Sequence, residues 1–380
     1  MATLLEKIDT HDFFTTVIRS WTTHRRHWLS AVVITIALIS LCIFTPLNTW
    51  PGFTHHMYTL VVNDTDRRDT AHDIMAGERW RLMELERIYG QNECKRKGRV
   101  SNPKWGWITA IANNKFVLPS VVLGHTLNVF SCQRKMIALV SRDVSAVNRG
   151  ALERVGWDVV EVEALDCNWL DKQQGREPRN IGILGTHMRF HVWTFSSYEK
   201  LIYIDGDFLV LSNIDELFEI NGEFAACHCA RPGMIDLCFN AGLAVIQPSK
   251  QTYSDIMKYW KERGSNGRCI SDQLLFWYFF GGSNRWTPIS YAYNVRRMIY
   301  WPMKAYHFAG TIFYKKPWEY CPLPTKDEAL KFDGPIRVVE DLFVLWWKFF
   351  YEMQEKYRLT EWWDQFQKNV LKLRQNGDCG

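Results

Sequence analysis

Two carboxylates stand one residue apart in an otherwise apolar stretch of the chain. Asp205 and Asp207 flank Gly206 within the strand-like run Leu201–Leu211. Side chains at positions i and i+2 of an extended segment point to the same side, so both carboxylates can reach one cation. Gly206 lets the backbone and a ligand approach closely. The spacing predicts a hard divalent ion held against a diphosphate, whereas an acidic turn between two strands is the ordinary meaning of an isolated Asp-x-Asp.

Apolar runs of strand length alternate with helix-length segments on both sides of this pair. Strands are expected at Trp107–Ala112, Lys135–Val140, Trp157–Val162, 201–211 and Cys238–Gln247. Helices are expected near residues 115–129, 144–154, 185–197, 249–263 and 271–280. This alternation predicts an α/β domain with a mostly parallel sheet, in which ligands bind at the carboxyl ends of the strands.

The segment Trp28–Leu47 carries no charged residue and is long enough to span a hydrocarbon core of roughly 30 Å as a helix. Arg19, Arg25 and Arg26 precede it, and no Lys or Arg follows it until Arg67. The positive-inside rule therefore keeps the N-terminus in the cytosol, sends the remaining chain across the membrane, and predicts a type II single-pass protein. A cleaved signal peptide and a buried core helix are alternatives, which the length and uniform apolarity of the run disfavour.

Composition limits the remaining possibilities. With 380 residues, 47% of them hydrophobic, the chain can bury a large core and is not a disordered protein. The net charge of +5 is scattered along the chain, which gives no nucleic-acid footprint.

The predicted divisions are a cytosolic tail at 1–27, the anchor at 28–47, a stem at 48–103, the catalytic domain at 104–325 and an aromatic helical extension at 326–380.

Nine of the ten cysteines follow the predicted anchor, where an oxidising lumen permits disulfides. Cys227-His228-Cys229 could suggest a metal site, but no second pair stands at zinc-finger spacing, so core thiols or disulfides are favoured. Asn63-Asp-Thr65 fits a glycosylation acceptor. The tryptophans of the 341–374 tail are expected to pack in the core rather than lie at a membrane interface.

Four separated segments, taken in order, resemble glycosyltransferase family 8, which includes glycogenin, galactinol synthases and plant xylan glucuronosyltransferases. They are Asp205-Gly-Asp207, Cys238-Phe-Asn240-Ala-Gly242, Ser271-Asp272-Gln273, and His307-Phe-Ala-Gly310 with Lys316-Pro-Trp. The likeness extends over about residues 105–320. It implies the A-type nucleotide-diphospho-sugar transferase fold, a Rossmann-like mixed sheet flanked by helices, together with a UDP-sugar donor, Mn²⁺ and retention of configuration at the sugar.

The resemblance also assigns the metal and phosphate contacts. It implies that Asp205, Asp207 and His307 ligate Mn²⁺, or alternatively Mg²⁺, although a lone histidine is more often structural. Gly310 and Lys316 would hold the phosphates. The spacing after Gly310 is longer than in glycogenin, which leaves open whether Lys315 or Lys316 reaches phosphate.

The loop Thr109–Asn114, with Thr109 and Asn113, corresponds to the family's uridine-binding segment. Phe116 falls where glycogenin has a base-stacking tyrosine, and it could equally be a core residue of the following helix.

The remaining carried-over residues surround the donor sugar. Asn240, Asp272 and Gln273 would bind and orient it, with Gly242 beside them. Asp272 and Gln273 could instead cap a helix. Arg189 stands where relatives have a donor-contacting lysine, and a solvated helical arginine is the alternative.

The sequence thus predicts a retaining transferase that moves a hexose-type sugar from a UDP-sugar to a glycan, lipid or protein acceptor. A glycogenin-like self-glucosylating initiator is one alternative, and the predicted anchor disfavours it. A catalytically silent sugar-nucleotide-binding protein and a metal-dependent nucleotide hydrolase are others. A homodimer is compatible with the odd cysteine count beyond the anchor and with the aromatic tail.

Overall fold

A computed structural model describes residues 101–165, 167, 186–229, 238–264, 270–281, 283, 285–309, 316–319 and 323–371. The predicted tail, the anchor Trp28–Leu47, the stem and the acceptor pattern at Asn63 lie outside the described residues. Within the described ranges, no helix is long and apolar enough to cross a bilayer. The membrane anchor and the domain boundaries stay predictions.

Within the described residues, nine strands form two sheets. They are β1 Trp105–Ile111, β2 Met136–Val140, β3 Asp158–Glu161, β4 Lys200–Ile204, β5 Phe208–Val210, β6 Phe224–His228, β7 Phe239–Ile246, β8 Trp286–Ile289 and β9 Ala305–His307. The main sheet has the order β3-β2-β1-β4-β7-β6-β8, and β5 pairs with β9 in a separate antiparallel ribbon. β3, β2, β1 and β4 are parallel, β7 is antiparallel to both neighbours, and β6 and β8 are parallel. The predicted mixed and mostly parallel sheet is confirmed.

The α-helices are α1 Val117–Phe130, α2 Ala146–Val155, α3 Lys250–Gly264, α4 Asp272–Phe276, α5 Lys326–Leu330, α6 Val339–Lys356 and α7 Thr360–Phe366. A π-helical turn, Trp277–Gly281, continues α4. The helix expected at 185–197 is instead the 3₁₀-helix Thr186–Thr194. Phe190, Val192 and Trp193 are all fully buried there, and one inward face of a regular α-helix does not bury positions so spaced.

Hydrophobic clusters cover both faces of the main sheet. Successive β1 residues divide between them, because Trp107 packs in one cluster and Ile108 in the other. The first cluster includes α1 and the C-terminal helices, where Trp346 and Trp347 are fully buried. The core-packing interpretation of the aromatic tail is therefore confirmed for these residues.

A disulfide joins the end of β6 to the residue that precedes β7. It links Cys229 to Cys238, and Cys132 and Cys167 are disulfide-bonded as well. Cys227 lies in the core. The preference for thiols and disulfides over a metal site at Cys227-His228-Cys229 is confirmed.

His125 of α1 is almost completely buried, with the rings of Phe349 and Tyr357 edge-on against it. Burial, assisted by the positive charge of Lys356, lowers its pKa from 6.5 to about 4. The Glu352 carboxylate, 3.8 Å from Nε2, acts in the opposite direction but is 39% exposed and screened by water.

We expect this histidine to make folding sensitive to acid. The unfolded chain takes up a proton below about pH 6.5 and the folded chain only near pH 4, so the free energy of unfolding should fall as the pH drops through this window, by at most roughly 3 kcal/mol. Urea unfolding of the parent and of His125→Phe across that range tests this. The variant should show a shallower pH dependence, and an identical slope in both proteins would contradict the assignment.

Candidate active site

The apolar run 201–211 is two strands joined by a turn. β4 ends at Ile204 and β5 begins at Phe208, so the expected single extended segment is wrong. The N–H of Asp205 donates to the Gly242 carbonyl at 2.7 Å, and the N–H of Phe208 donates back to the Asp205 carbonyl at 3.2 Å. The chain therefore leaves the main sheet at Asp205 and enters the β5–β9 ribbon after Asp207.

Gly206 is required by packing against a helix. A Cβ at this position would lie 2.4 Å from the Ser120 hydroxyl of α1. The close approach that the sequence suggested for a ligand is made here by the protein itself. The turn still directs both neighbouring carboxylates toward one point.

Three metal-type donors meet at that point. Oxygens of Asp205 and Asp207 and a ring nitrogen of His307 all lie within 4.8 Å of one another. His307 Nε2 is 3.2 Å from Asp207 Oδ1 and 3.9 Å from Asp205 Oδ2. The β5–β9 register sets Phe208 opposite His307, and their rings stack with centroids 4.2 Å apart. Two carboxylates and an imidazole suit a divalent ion such as Mn²⁺.

Gly242 of β7 clears the space between these donors. A Cβ built on it would lie 2.5 Å from His307 Cε1, 2.8 Å from Asp205 Oδ2 and 2.9 Å from Asn240 Oδ1. Real Cβ atoms do not tolerate such contacts, so a side chain here would push the donors apart. The residue lies at the edge of the donor group that the resemblance implied.

Lys316 supplies positive charge to Asp207. Its ammonium contacts Asp207 Oδ2. Burial acts to raise the pKa of Asp207, but His307 and Lys316 outweigh it and hold that pKa well below the usual range. Burial also acts to lower the pKa of Lys316, yet Asp207 raises it above the ordinary value. Gly310 and Lys315 lie outside the described residues.

Arg189 contacts the other carboxylate, that of Asp205. Its Nη2 is 3.1 Å from Asp205 Oδ1, and its Nε is 2.5 Å from Asp272 Oδ2. Burial raises the pKa of Asp205, and Arg189 offsets this only in part. The guanidinium is 11% exposed, so the solvated-arginine alternative is wrong.

Tyr203 is a site residue that the sequence reasoning missed. Its hydroxyl donates to Asp205 Oδ1 at 2.7 Å, and the Arg189 guanidinium lies over its ring at 4.7 Å from the centroid. Tyr203 precedes Asp205 by two residues, a spacing that places both side chains on the same face of an extended strand. This spacing could have identified Tyr203 from the sequence.

The predicted sugar-binding residues are linked by hydrogen bonds. Asn240 Nδ2 donates to Gln273 Oε1 at 3.0 Å. Ser271 caps α4 by accepting from the Leu274 N–H at 3.3 Å, so the capping alternative for Asp272 and Gln273 is wrong. The Gln273 oxygen also accepts from the Ala241 N–H at 3.2 Å.

The predicted uridine segment lies at the carboxyl end of β1. β1 runs parallel to β4 with Ile108 opposite Tyr203, so this end and Asp205 share one edge of the sheet. The Thr109 hydroxyl is buried and has no hydrogen-bond partner among the described residues. The Asn113 side chain accepts from the Lys115 N–H at 3.0 Å. Phe116 is 45% exposed, which makes the core-residue alternative wrong.

The chain is similar to several known proteins. Glycogenin-1 of Mus musculus is 32% identical over 284 residues, covering 71% of this chain and 78% of the relative. Putative UDP-glucuronate:xylan alpha-glucuronosyltransferase 5 of Arabidopsis thaliana is 23% identical over 258 residues, covering 63% and 41%. The apo-form glycosyltransferase GlyE of Streptococcus pneumoniae TIGR4 has a TM-score of 0.45 at 15% identity, covering 68% of this chain and 63% of that one.

The identity to glycogenin-1 and the match to a family model show that the α/β domain with its acidic site is that of a glycosyltransferase. The family model named Glycosyl transferase family 8 matches residues 108–321, more than half of the chain. The protein belongs to glycosyltransferase family 8, as the four sequence segments indicated.

The crowding around Gly242 leads to a testable prediction for metal binding. Gly242→Ala should lower the affinity for Mn²⁺, measured with UDP present by electron paramagnetic resonance, at least about tenfold, because the new methyl group displaces His307 and Asp205. Gly150→Ala in α2 is the matched control, since its Cβ meets nothing within 4 Å. A folded Gly242→Ala protein with parental Mn²⁺ affinity would argue that the ion binds elsewhere.

Proposed function

We propose that this protein is a retaining hexosyltransferase that uses a UDP-sugar donor and Mn²⁺, with Mg²⁺ as the alternative ion. The observation that carries the proposal is the convergence of Asp205, Asp207 and His307 on the space cleared by Gly242. Such a donor set suits a divalent cation, and it adjoins polar groups able to bind a sugar.

The three donors would hold the metal ion. When bound, the ion would act as a Lewis acid that neutralises the charge developing on the departing diphosphate. Lys316 supports this assignment because its ammonium already lies at Asp207. Once phosphate occupies the site, Lys316 can contact its oxygens as a point charge, and Gly310 is proposed to lie against the same group.

The donor sugar is proposed to bind beside the linked amides of Asn240 and Gln273. Arg189 and Asp272 form a buried ion pair next to them, which orients both charged groups. The exposed ring of Phe116 would stack on uracil. Thr109 and Asn113 would contribute polar contacts to the uridine.

Retention is proposed to occur by attack on the face that the leaving group occupies. Asp205 and Asp207 face cationic groups, and Asp272 is held by Arg189, so these carboxylates are engaged. Retaining hydrolases instead use two carboxylates about 5 Å apart for acid and nucleophile. In the proposed step the bond from the anomeric carbon to the diphosphate oxygen breaks, the acceptor oxygen bonds to that carbon, and its proton passes to the diphosphate.

The site is proposed to work in the lumen of the Golgi or endoplasmic reticulum, in a type II single-pass protein anchored by Trp28–Leu47. The Cys229–Cys238 disulfide supports an oxidising compartment. Acceptors would be glycans, lipids or proteins. A homodimer remains part of the proposal.

A second candidate is a self-glucosylating initiator. The specific observation in its favour is the 32% identity to mouse glycogenin-1 over 78% of that relative. In this case the acceptor would be the protein itself. Sugar would then accumulate on the polypeptide without an added acceptor.

Donor turnover provides the test. The full chain in detergent is incubated with a panel of UDP-sugars, with Mn²⁺ or a chelator, and UDP release and the mass of the protein are recorded. We expect one donor to be used only with metal, and the Asp205→Ala, Asp207→Ala double variant to lose at least about a hundredfold in rate, because both charged donors are removed. The Gly150→Ala protein serves as the active control.

The outcomes separate the candidates. An increase in protein mass supports self-glucosylation, whereas UDP release that depends on an added acceptor supports transfer in trans. UDP release that no acceptor changes indicates a nucleotide hydrolase. If no UDP-sugar is cleaved or bound at any metal concentration, the enzyme proposal fails and a silent binding protein is the better account.

A further inference from the structure

We infer that Asn294 is a positioning residue that fixes the proton of His307 on Nδ1 and couples this metal-type ligand to the sugar-binding amides. Asn294 lies between two groups that the proposed function uses. Its Oδ1 is 3.1 Å from His307 Nδ1, and its Nδ2 is 2.8 Å from Asn240 Oδ1. It is fully buried. The inference rests on the proposed function and deepens its site.

Two backbone N–H groups of β7 determine how the side-chain amides of Gln273, Asn240 and Asn294 are oriented. The β6–β7 register jumps from the Ala226–Ala244 pair to the Cys227–Asn240 pair, which is a bulge in β7. At this irregularity the Ala241 N–H donates to Gln273 Oε1 at 3.2 Å, and the Gly242 N–H donates to Asn240 Oδ1 at 3.1 Å. A backbone N–H can only donate, so both side-chain atoms must be carbonyl oxygens.

The remaining orientations follow from these two. Because the Asn240 atom that faces Asn294 is an oxygen, Asn294 must present its NH₂ group to it, and its own oxygen then faces His307. A carbonyl oxygen can only accept, so His307 Nδ1 must carry the proton. His307 Nε2 is left facing Asp207 and Asp205, and it is the ring nitrogen whose lone pair a metal ion held between these groups would take.

The backbone after Asn294 holds this arrangement in place. The Val295 N–H donates to the Ala305 carbonyl at 3.2 Å, and the His307 N–H donates to the Val295 carbonyl at 2.8 Å. Asn294 is thereby kept beside the β9 strand that carries His307. Among the described residues, the same order of donors leaves the second N–H of Asn240 and the NH₂ group of Gln273 able to donate to oxygens of a sugar.

The tautomer is measurable without any turnover. In the full chain labelled with ¹⁵N-histidine and free of metal, long-range ¹H–¹⁵N spectra should show a proton on His307 Nδ1, and a second proton on Nε2, toward Asp207, would agree equally with the inference. The His307→Gln variant identifies its signals among the 11 histidines. A His307 ring protonated on Nε2 alone in the parent would overturn the inference, whatever the activity.

Two variants of Asn294 test its contact with His307 separately from its contact with Asn240. Asn294→Leu should lose the tautomer preference and bind Mn²⁺ with UDP about ten- to a hundredfold more weakly. Asn294→Asp keeps an oxygen for His307 but sets another against Asn240 Oδ1. It should therefore retain the tautomer and the Mn²⁺ affinity, while the KM for the donor rises roughly tenfold. Asn128→Leu is the control, a partly buried asparagine of α1 that donates to the Val155 carbonyl.

The results distinguish this inference from the proposed function. Parental Mn²⁺ affinity in a folded Asn294→Leu protein would refute the positioning role, even in an active enzyme. If Asn294→Leu does not fold, the parental tautomer and Asn294→Asp still decide the question. A parent with the expected tautomer and Mn²⁺ binding but no activity on any UDP-sugar would refute the transferase and leave the role of Asn294 intact.

Discussion

Two ionised carboxylates can share a largely buried space only if positive charge reaches both of them. Asp205 and Asp207 face this constraint, and the protein meets it with a separate cation for each, Arg189 for the first and Lys316 for the second. His307 adds a third contact at Asp207. The two carboxylates differ as a result, because burial prevails at Asp205 and the cations prevail at Asp207. The elements around the site position these charged side chains against the two carboxylates.

The placement of the groups in the site depends on interruptions of regular secondary structure. A 3₁₀-helix carries Arg189, a turn separates the two aspartates, and a bulged strand presents backbone N–H groups to side chains. Regular strands would satisfy these backbone groups within the sheet and leave no donors for Asn240 and Gln273. The regular part of the sheet, with large cores on both faces, holds the irregular part in position.

Much of this could be predicted from the sequence, and the failures have physical causes. Strands buried on both faces give continuous apolar runs, so the order of strands and helices was readable. The division of residues 201–211 into two strands could not be predicted from the sequence. Both halves are apolar, and only the pairing of the second half with the distant β9 separates them. Asp205 and Asp207 were identified by their local spacing, whereas His307 came from the family pattern. Asn294 was missed because its partners are recognisable only after folding, whereas Tyr203 was missed although its spacing from Asp205 is visible in the sequence.

The donor group also spans two separate sheets. Asp205 follows β4 of the main sheet, whereas Asp207 precedes β5 and His307 ends β9 of the small ribbon. An ion held by all three would therefore act as a cross-link between the ribbon and the main sheet, in the way that a metal clip closes a loop. Exchange of the ribbon's amide hydrogens with solvent would then slow when the ion binds, so the cofactor would contribute to local mechanical rigidity as well as to chemistry.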